Sequence, residues 1–333
     1  MTQSRPPRVS VIMAVYNCDS YVGKAIESVQ AQTVTDWELL CVDDCSSDRS
    51  AEIVGEYAEQ DRRVVLVENA SNIGAPGTRN VALSHARGEF VAILDSDDVA
   101  SPDRLELSLA AFERDPGLGV VAGMWDVIDS RDCVIATPRG GALCDEAIRE
   151  SLLYERNRIA HSSAMIRREL MERIGGYDVE LPAAQDYDLF LRLLPHCRFL
   201  RLGERLLSYR YREGAISQVN ALAQRLYAEF ARDRAQARLL SKPFEEQREL
   251  EVIAELLSPD HRRSRRAARH LNDAALVALY WGQPRHAREL LRSARRYWPA
   301  FPRTFLSSAM TYLPQHVVSW LGDARKMVLG RRA

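Results

Sequence analysis

Four short apolar runs within the first hundred residues fix most of what this chain can fold into. They are Val9 to Ala14 (VSVIMA), Trp37 to Val42, Val64 to Val67 and Phe90 to Leu94. Short runs this rich in Val, Ile and Leu read as strands covered on both faces. Helical spacing fills the gaps. Tyr21 to Gln32 places Val22, Ile26 and Val29 on one stripe, and Pro76 to Ala86 forms a third helix. Between them, Ser47 to Gln60 turns Ile53, Val54 and Tyr57 inward, with Ser46 or Ser47 as its cap. Strand and helix in strict alternation predict an α/β domain, a Rossmann-like, mostly parallel sheet with helices on both faces. Ligands in such sheets bind beyond the carboxyl ends of the strands. This chain puts its acids there.

The alternation loosens after Pro102. Leu105 to Phe112 and Glu146 to Tyr154 read as helices, and Val120 to Trp125 and Cys133 to Thr137 as strands. Gly175-Gly176-Tyr177 marks a break before an amphipathic helix over Asp186 to Leu194. Phe199 to Leu202 and Leu206 to Arg212 read as two closing strands. From Ala221 onward helices rich in Ala, Leu and Arg take over, so the expected division is a domain over 1–218 and an all-helical extension over 219–333. Ala278 to Pro299 has the spacing of one helical hairpin, which alone cannot build a solenoid.

Three acidic clusters are candidates for chemistry. Asp43-Asp44 follows the second strand and can hydrogen-bond a nucleotide, or simply form a polar turn, with Asp48 favouring the next helix dipole. Asp95-Ser96-Asp97-Asp98 follows the fourth strand, and three carboxylates in four residues repel one another unless a cation or donors balance them. Mg²⁺ or Mn²⁺ suits such a group, taking one or two carboxylates plus substrate phosphates. The alternative is a solvated loop capping the helix near Pro102. Gln185-Asp186-Tyr187-Asp188 opens a helix and supplies either a general base or an N-terminal cap; Asp186 and Asp188 point to different faces.

Composition excludes several classes. A net charge of −1 offers no uniform field for nucleic acid. Met1 to Arg8 is polar and is not a signal peptide, and no apolar stretch reaches the ~20 residues of a membrane span. The six cysteines follow no framework spacing, and Cys41 with Cys45 lacks partners for zinc, which fits reduced thiols in the cytoplasm. Dinucleotide, P-loop, zinc-protease and nucleophile-elbow motifs are missing. A nucleotidyltransferase would carry a Gly-rich phosphate loop where this chain reads AVYNCDSY.

In order along the chain stand VSVIMAVYN, VDDCSSD, NIGAPGTRN, LDSDD, IGGYD, QDYDLFLRL and LLSYRYREGAIS. Over about Val9 to Ser217 this set resembles the family 2 glycosyltransferases of the GT-A fold. The resemblance implies a metal-dependent, inverting transfer of a sugar from a nucleotide diphosphate donor, expected to be a UDP-sugar, in surface polysaccharide or glycoconjugate synthesis. Ala14, Tyr16 and Asn17 would line the nucleotide pocket, Asp44 would bind the base with Asp43 beside it, and Arg79 and Asn80 would sit near the diphosphate. Asp95 and Asp97, with Ser96 between them, match the D-x-D motif for ribose and the metal (Mn²⁺ or Mg²⁺), with Asp98 as neighbour. Asp186 matches the catalytic base. Gln185 stands where the family usually has Glu, and Arg212 where it often has His, so Arg212 is a candidate phosphate contact. His161 is a candidate acceptor contact or a buried histidine with one hydrogen bond. The competing reading is a catalytically silent sugar-nucleotide binder with a partner-recruiting tail.

Between Asp260 and Ala333 fifteen Arg or Lys face four acids. Met310 to Leu329 mixes apolar and basic residues. It is either a peripheral contact with an anionic membrane surface, suiting a lipid-linked sugar acceptor, or a helix packed on the catalytic domain or in a homodimer.

Overall fold

A computed structural model describes residues 5–211, 221–258, 264–280, 283–298 and 307–312. The chain forms two compact units, Met1–Arg212 and Glu213–Ala333. The boundary expected after residue 218 and the residue Arg212 fall outside the described residues, as does all of Met310 to Leu329 beyond residue 312.

The first unit begins β1 (Val9–Val15), α1 (Val22–Gln30), β2 (Trp37–Asp43), α2 (Ser50–Gln60), β3 (Val64–Glu68), α3 (Gly74–His85) and β4 (Phe90–Ile93). It continues β5 (Val99–Ala100), α4 (Arg104–Arg114), β6 (Leu118–Ile128), β7 (Val134–Ala136), α5 (Asp145–Glu150), β8 (Met165–Arg167), α6 (Arg168–Arg173), α7 (Gln185–Leu193) and β9 (Arg198–Arg210). One sheet runs β3-β2-β1-β4-β8-β6-β9-β5, with β7 added to β6. Its first four strands are parallel, β8 is antiparallel to β4 and β6, and β9 returns parallel to β6. β1 lies between β2 and β4, so the strand order reverses there and opens a crevice at the carboxyl ends of β1 and β4.

Alternation along β1 explains both layers. Val9, Val11, Met13 and Val15 pack with Ile26 and Val29 of α1 and with Leu105, Leu109 and Phe112 of α4. Ile12, Leu40, Val42 and Ile93, pointing the other way, are equally buried, and α3 packs on β1 and β2. Fully covered strands need no polar alternation, as the sequence reading required.

Three local expectations need correction. The two closing strands are one strand, β9. Its pairing with β6 slips so that Ala122 and Met124 face Arg201 and Arg205, and a bulge absorbs Leu202 to Glu204 without a turn. Neither Ser46 nor Ser47 caps α2, which starts at Ser50; Asp48 instead accepts from the Ser50 and Asp19 amides at 2.9 and 3.0 Å. The helix expected to reach Tyr154 ends at Glu150 and continues as a single π turn, Ser151–Glu155.

The second unit comprises α8 (Ala221–Leu239), α9 (Glu246–Leu257), α10 (Arg265–Tyr280) and α11 (Pro284–Tyr297). α10 and α11 form the hairpin, longer at its start than the sequence indicated. Ala274, Ala275, Ala278 and Leu279 pack with Ala287, Leu290, Leu291 and Ala294. Glu229 of α8 ties the bundle to α10 through His270 Nε2 at 2.8 Å and Arg266 Nε at 2.9 Å. Among the described residues no helix is long and apolar enough to cross a membrane.

Candidate active site

The loops after β1 and β2 build one end of the crevice. Ala14 is half-buried near the end of β1, and Tyr16 follows with 46% of its surface exposed, a flat apolar wall at the sheet's carboxyl edge. Asn17 takes a left-handed backbone (φ 47°), which Asn tolerates better than most residues. Its Oδ1 accepts from the Ser47 amide at 2.8 Å, locking the two loops together. Asp43 is buried and bonded to the Ser46 amide and hydroxyl. Asp44 reaches the start of α3: Oδ1 accepts from Asn69 Nδ2 and the Ile73 amide, and Oδ2 from the Gly74 amide, each at 2.9 Å. Three of the carboxylate's roughly four acceptor positions are thereby filled, leaving one on Oδ2.

The acid loop after β4 forms the centre. Asp95 Oδ1 lies 2.7 Å from Arg79 Nη2 and 3.9 Å from His161 Nδ1. Burial would raise its carboxyl, but the Arg79 guanidinium and His161 outweigh burial and hold it far below the ordinary range. Ser96 is buried beside the Cys18 thiol. Asp97 is half-buried, with its carbonyl accepting from Arg210 Nε at 2.7 Å. Asp98, expected among the diphosphate or acceptor contacts, is fully buried and sits beneath the loop. Burial, followed by the charges of Asp97 and Asp95, pushes its carboxyl well up; its Oδ1 accepts from the Arg210 amide at 2.8 Å.

Two buried arginines support this loop, and the sequence reading singled out neither. Arg210, at the end of β9, also bonds the Asp129 carbonyl and pairs with Asp132 at 2.7 Å, stacking on Tyr21. Arg104 donates to the Ile93 and Ala164 carbonyls; burial lowers it to about 10, against the opposing pull of Asp98 and Asp95. Nothing in spacing flags them, because a basic residue ending a strand or opening a helix normally faces water.

The far wall gathers His161, Tyr177 and Asp186. Burial raises the Tyr177 phenol, so it keeps its proton, and its oxygen lies 2.9 Å from His161 Nε2. Arg79 stands 5.7 Å over the Tyr177 ring and is stabilised as a cation by Asp95, with Asp186 adding to that field. Asp186, in the first turn of α7, accepts from Asn157 Nδ2 at 3.0 Å. Asn80 was expected near the diphosphate, but its amide is committed elsewhere: it accepts from the Tyr177 amide and donates to the Tyr177 carbonyl, both at 2.8 Å. The Gly-Gly-Tyr break is thus the far half of this wall.

Asp44, the pair Asp95 and Asp97, and Asp186 therefore come from three separate sequence segments to one end of the sheet, with Arg79 of α3 among them. The glycosyl transferase family 2 profile matches residues 10–175. An uncharacterized glycosyltransferase of Methanocaldococcus jannaschii is 30% identical over 67% of this chain and 77% of its own length. The chain belongs to glycosyltransferase family 2. The UDP-Glc:alpha-D-GlcNAc-diphosphoundecaprenol beta-1,3-glucosyltransferase of Escherichia coli is 31% identical over 56% of this family member and 69% of its own length. Several other relatives are much longer, and the chain spans 20% of them. Among solved structures, S. aureus TarS 1-349 in complex with UDP-GlcNAc superposes with a TM-score of 0.60 at 20% identity, covering 97% of this chain and 92% of that one. The mannosyltransferase PcManGT from Pyrobaculum calidifontis, in complex with GDP-Man and Mn²⁺, gives 0.56 at 20% identity, covering 95% and 84%. The glycosyltransferase therefore has the GT-A fold, with a helical C-terminal region.

Proposed function

We propose that this glycosyltransferase takes a UDP-sugar with Mn²⁺ or Mg²⁺ and inverts the anomeric centre as it glycosylates a hydroxyl. The acceptor is a glycan or lipid-linked sugar on the cytoplasmic side of surface polysaccharide synthesis; support comes from the E. coli relative, whose name gives a UDP-Glc donor and a GlcNAc-diphosphoundecaprenol acceptor. One observation supports the reading: Asp44, the Asp95–Asp97 loop with its partner Arg79, and Asp186 gather beyond the carboxyl ends of the parallel strands.

Uridine fits because Asp44 retains a single acceptor position, which matches the one imide N–H of uracil, while guanine offers adjacent donors. Tyr16 offers its exposed face to the ring. The acid loop fits a divalent ion. Asp97 is half-buried at the crevice, Asp98 lies behind it with a buried Oδ2 that has no hydrogen-bond partner, and Asp95 is already engaged by Arg79. Among the described residues no three ligating side chains converge, so donor phosphates would complete the shell. When bound, the ion stabilises the departing diphosphate as a Lewis acid. Arg79 adds fixed positive charge nearby. Asp186 takes the acceptor proton as its oxygen attacks the anomeric carbon opposite the leaving group, a contribution of about 10² to 10⁴ in rate. One carboxylate suffices for this inversion.

The test is release of nucleoside diphosphate from UDP-, GDP- and dTDP-sugars with Mn²⁺ or Mg²⁺. A UDP-sugar consumed by wild type, with loss on EDTA and in Asp97→Ala, supports the reading. Preference for a GDP-sugar, or turnover unaffected by EDTA, overturns the donor or metal assignment.

A further inference from the structure

We infer that Asn157 is a positioning residue for Asp186, orienting its carboxylate toward the acceptor hydroxyl. The inference rests on the proposed role of Asp186 as the base. Asn157 Nδ2 donates to Asp186 Oδ2 at 3.0 Å, while its own Oδ1 accepts from the Ile159 amide at 2.9 Å. The second bond decides which end of the amide faces the acid. A flipped side chain would set carbonyl against carboxylate and NH₂ against N–H, losing both bonds.

Both partners sit on elements that are fastened together. Asn157 follows the π turn Ser151–Glu155, and the Tyr187 hydroxyl, next to Asp186 on α7, donates to the Leu152 carbonyl of that turn. The turn closes on itself through the Arg156 amide to Ser151 carbonyl bond (2.7 Å) and the Ser151 hydroxyl to Arg156 carbonyl bond (2.8 Å). Ala184, in a left-handed conformation (φ 57°), sets the start of α7. π turns are rare and frequently found at functional sites.

The consequence is chemical. With Oδ2 held by Asn157, Oδ1 is the oxygen that receives the proton. The acceptor oxygen forms its bond to the anomeric carbon, the bond to the diphosphate oxygen breaks with its electron pair, and the hydroxyl proton passes to Asp186 Oδ1. A neutral amide orients the base without supplying a competing charge. Its effect cannot exceed the whole contribution of the base, about 10² to 10⁴ in rate.

Three variants decide the matter: Asn157→Ala, Asn157→Asp and Asp186→Asn. UDP release from UDP-glucose and UDP-N-acetylglucosamine with Mn²⁺ is followed in the full chain. In Asn157→Ala and Asn157→Asp kcat falls roughly 10- to 100-fold, within the ceiling set by the base, with donor KM within about twofold. Wild-type kcat in both variants, or a loss that falls on donor KM instead of kcat, overturns the inference. If Asp186→Asn turns over like wild type, the base assignment falls and this inference with it. If Asp186→Asn is inactive and the Asn157 variants match wild type, the inference alone fails.

Discussion

Gly176 offers a quantitative check on how the far wall is built. Both Gly175 and Gly176 have positive φ, 77° and 70°. Placing Ala at either costs about 1–2 kcal/mol in the left-handed region. The two sites differ in what a methyl would meet. At Gly175 nothing lies within 4 Å, whereas at Gly176 the new carbon would stand 2.4 Å from Asn80 Oδ1. Asn80 must then leave its two bonds to the Tyr177 main chain, each contributing about 0.5–1.5 kcal/mol net. Gly176→Ala should therefore cost about 2 kcal/mol more than Gly175→Ala. For a domain of this size that is a melting temperature lower by roughly 4–8 °C. The gain from a stiffer unfolded chain is shared by both variants and cancels. Thermal unfolding followed by near-ultraviolet circular dichroism reads the difference directly. Equal melting temperatures would refute the claim that the Asn80 clamp fixes Tyr177.

Asp44→Asn puts an NH₂ group against a main-chain N–H at the start of α3; stability should drop by about 1.5–3 kcal/mol in urea denaturation, with UDP affinity by calorimetry falling at least tenfold (a smaller loss than one hydrogen bond would count against the base-binding role). Arg210→Met strands the Asp97 and Asp129 carbonyls, so it should destabilise the chain by about 2 kcal/mol or more and raise the Mn²⁺ concentration needed for half activity. Arg210→Lys keeps the charge but loses the fork and should fall between; a Met variant with wild-type metal response would contradict this support role. The hydrogen bond from His270, aided by Arg266, lowers the Glu229 carboxyl to about 2. A depressed carboxyl stabilises the fold above its ordinary range, and that stability is lost as pH falls from about 5 toward 2. Glu229→Gln should flatten this acid limb in helicity measurements, and an unchanged limb would show that other groups carry it.

The parallel half of the sheet was legible because Val9 to Ala14 and Trp37 to Val42 are buried on both faces and leave an unbroken apolar signature. β9 was misjudged for a physical reason. Gly203-Glu204 looks like a turn, yet a register slip against β6 accommodates those residues inside one strand. The acids of the site were visible as clusters ending strands. Their individual tasks were less so, because adjacent acids look alike in sequence while Asp97 stays half-buried and Asp98 goes under the loop. Asn80, Asn157 and Arg210 act through bonds to residues 97, 29 and 113 positions away, and no local pattern encodes such pairings.

β9 gives the catalytic unit a minimum length that the family profile understates. The profile match stops at residue 175, before Asp186 and before the strand whose last residue grips the acid loop. A fragment trimmed to that limit would lose the partner of β5 and bare one side of β6, a long apolar edge inviting other chains to add to it. Asp98 would lose the amide that anchors it. Expression of shortened forms should therefore run past Tyr211; shorter pieces would be expected in the insoluble fraction, however complete their recognisable motifs.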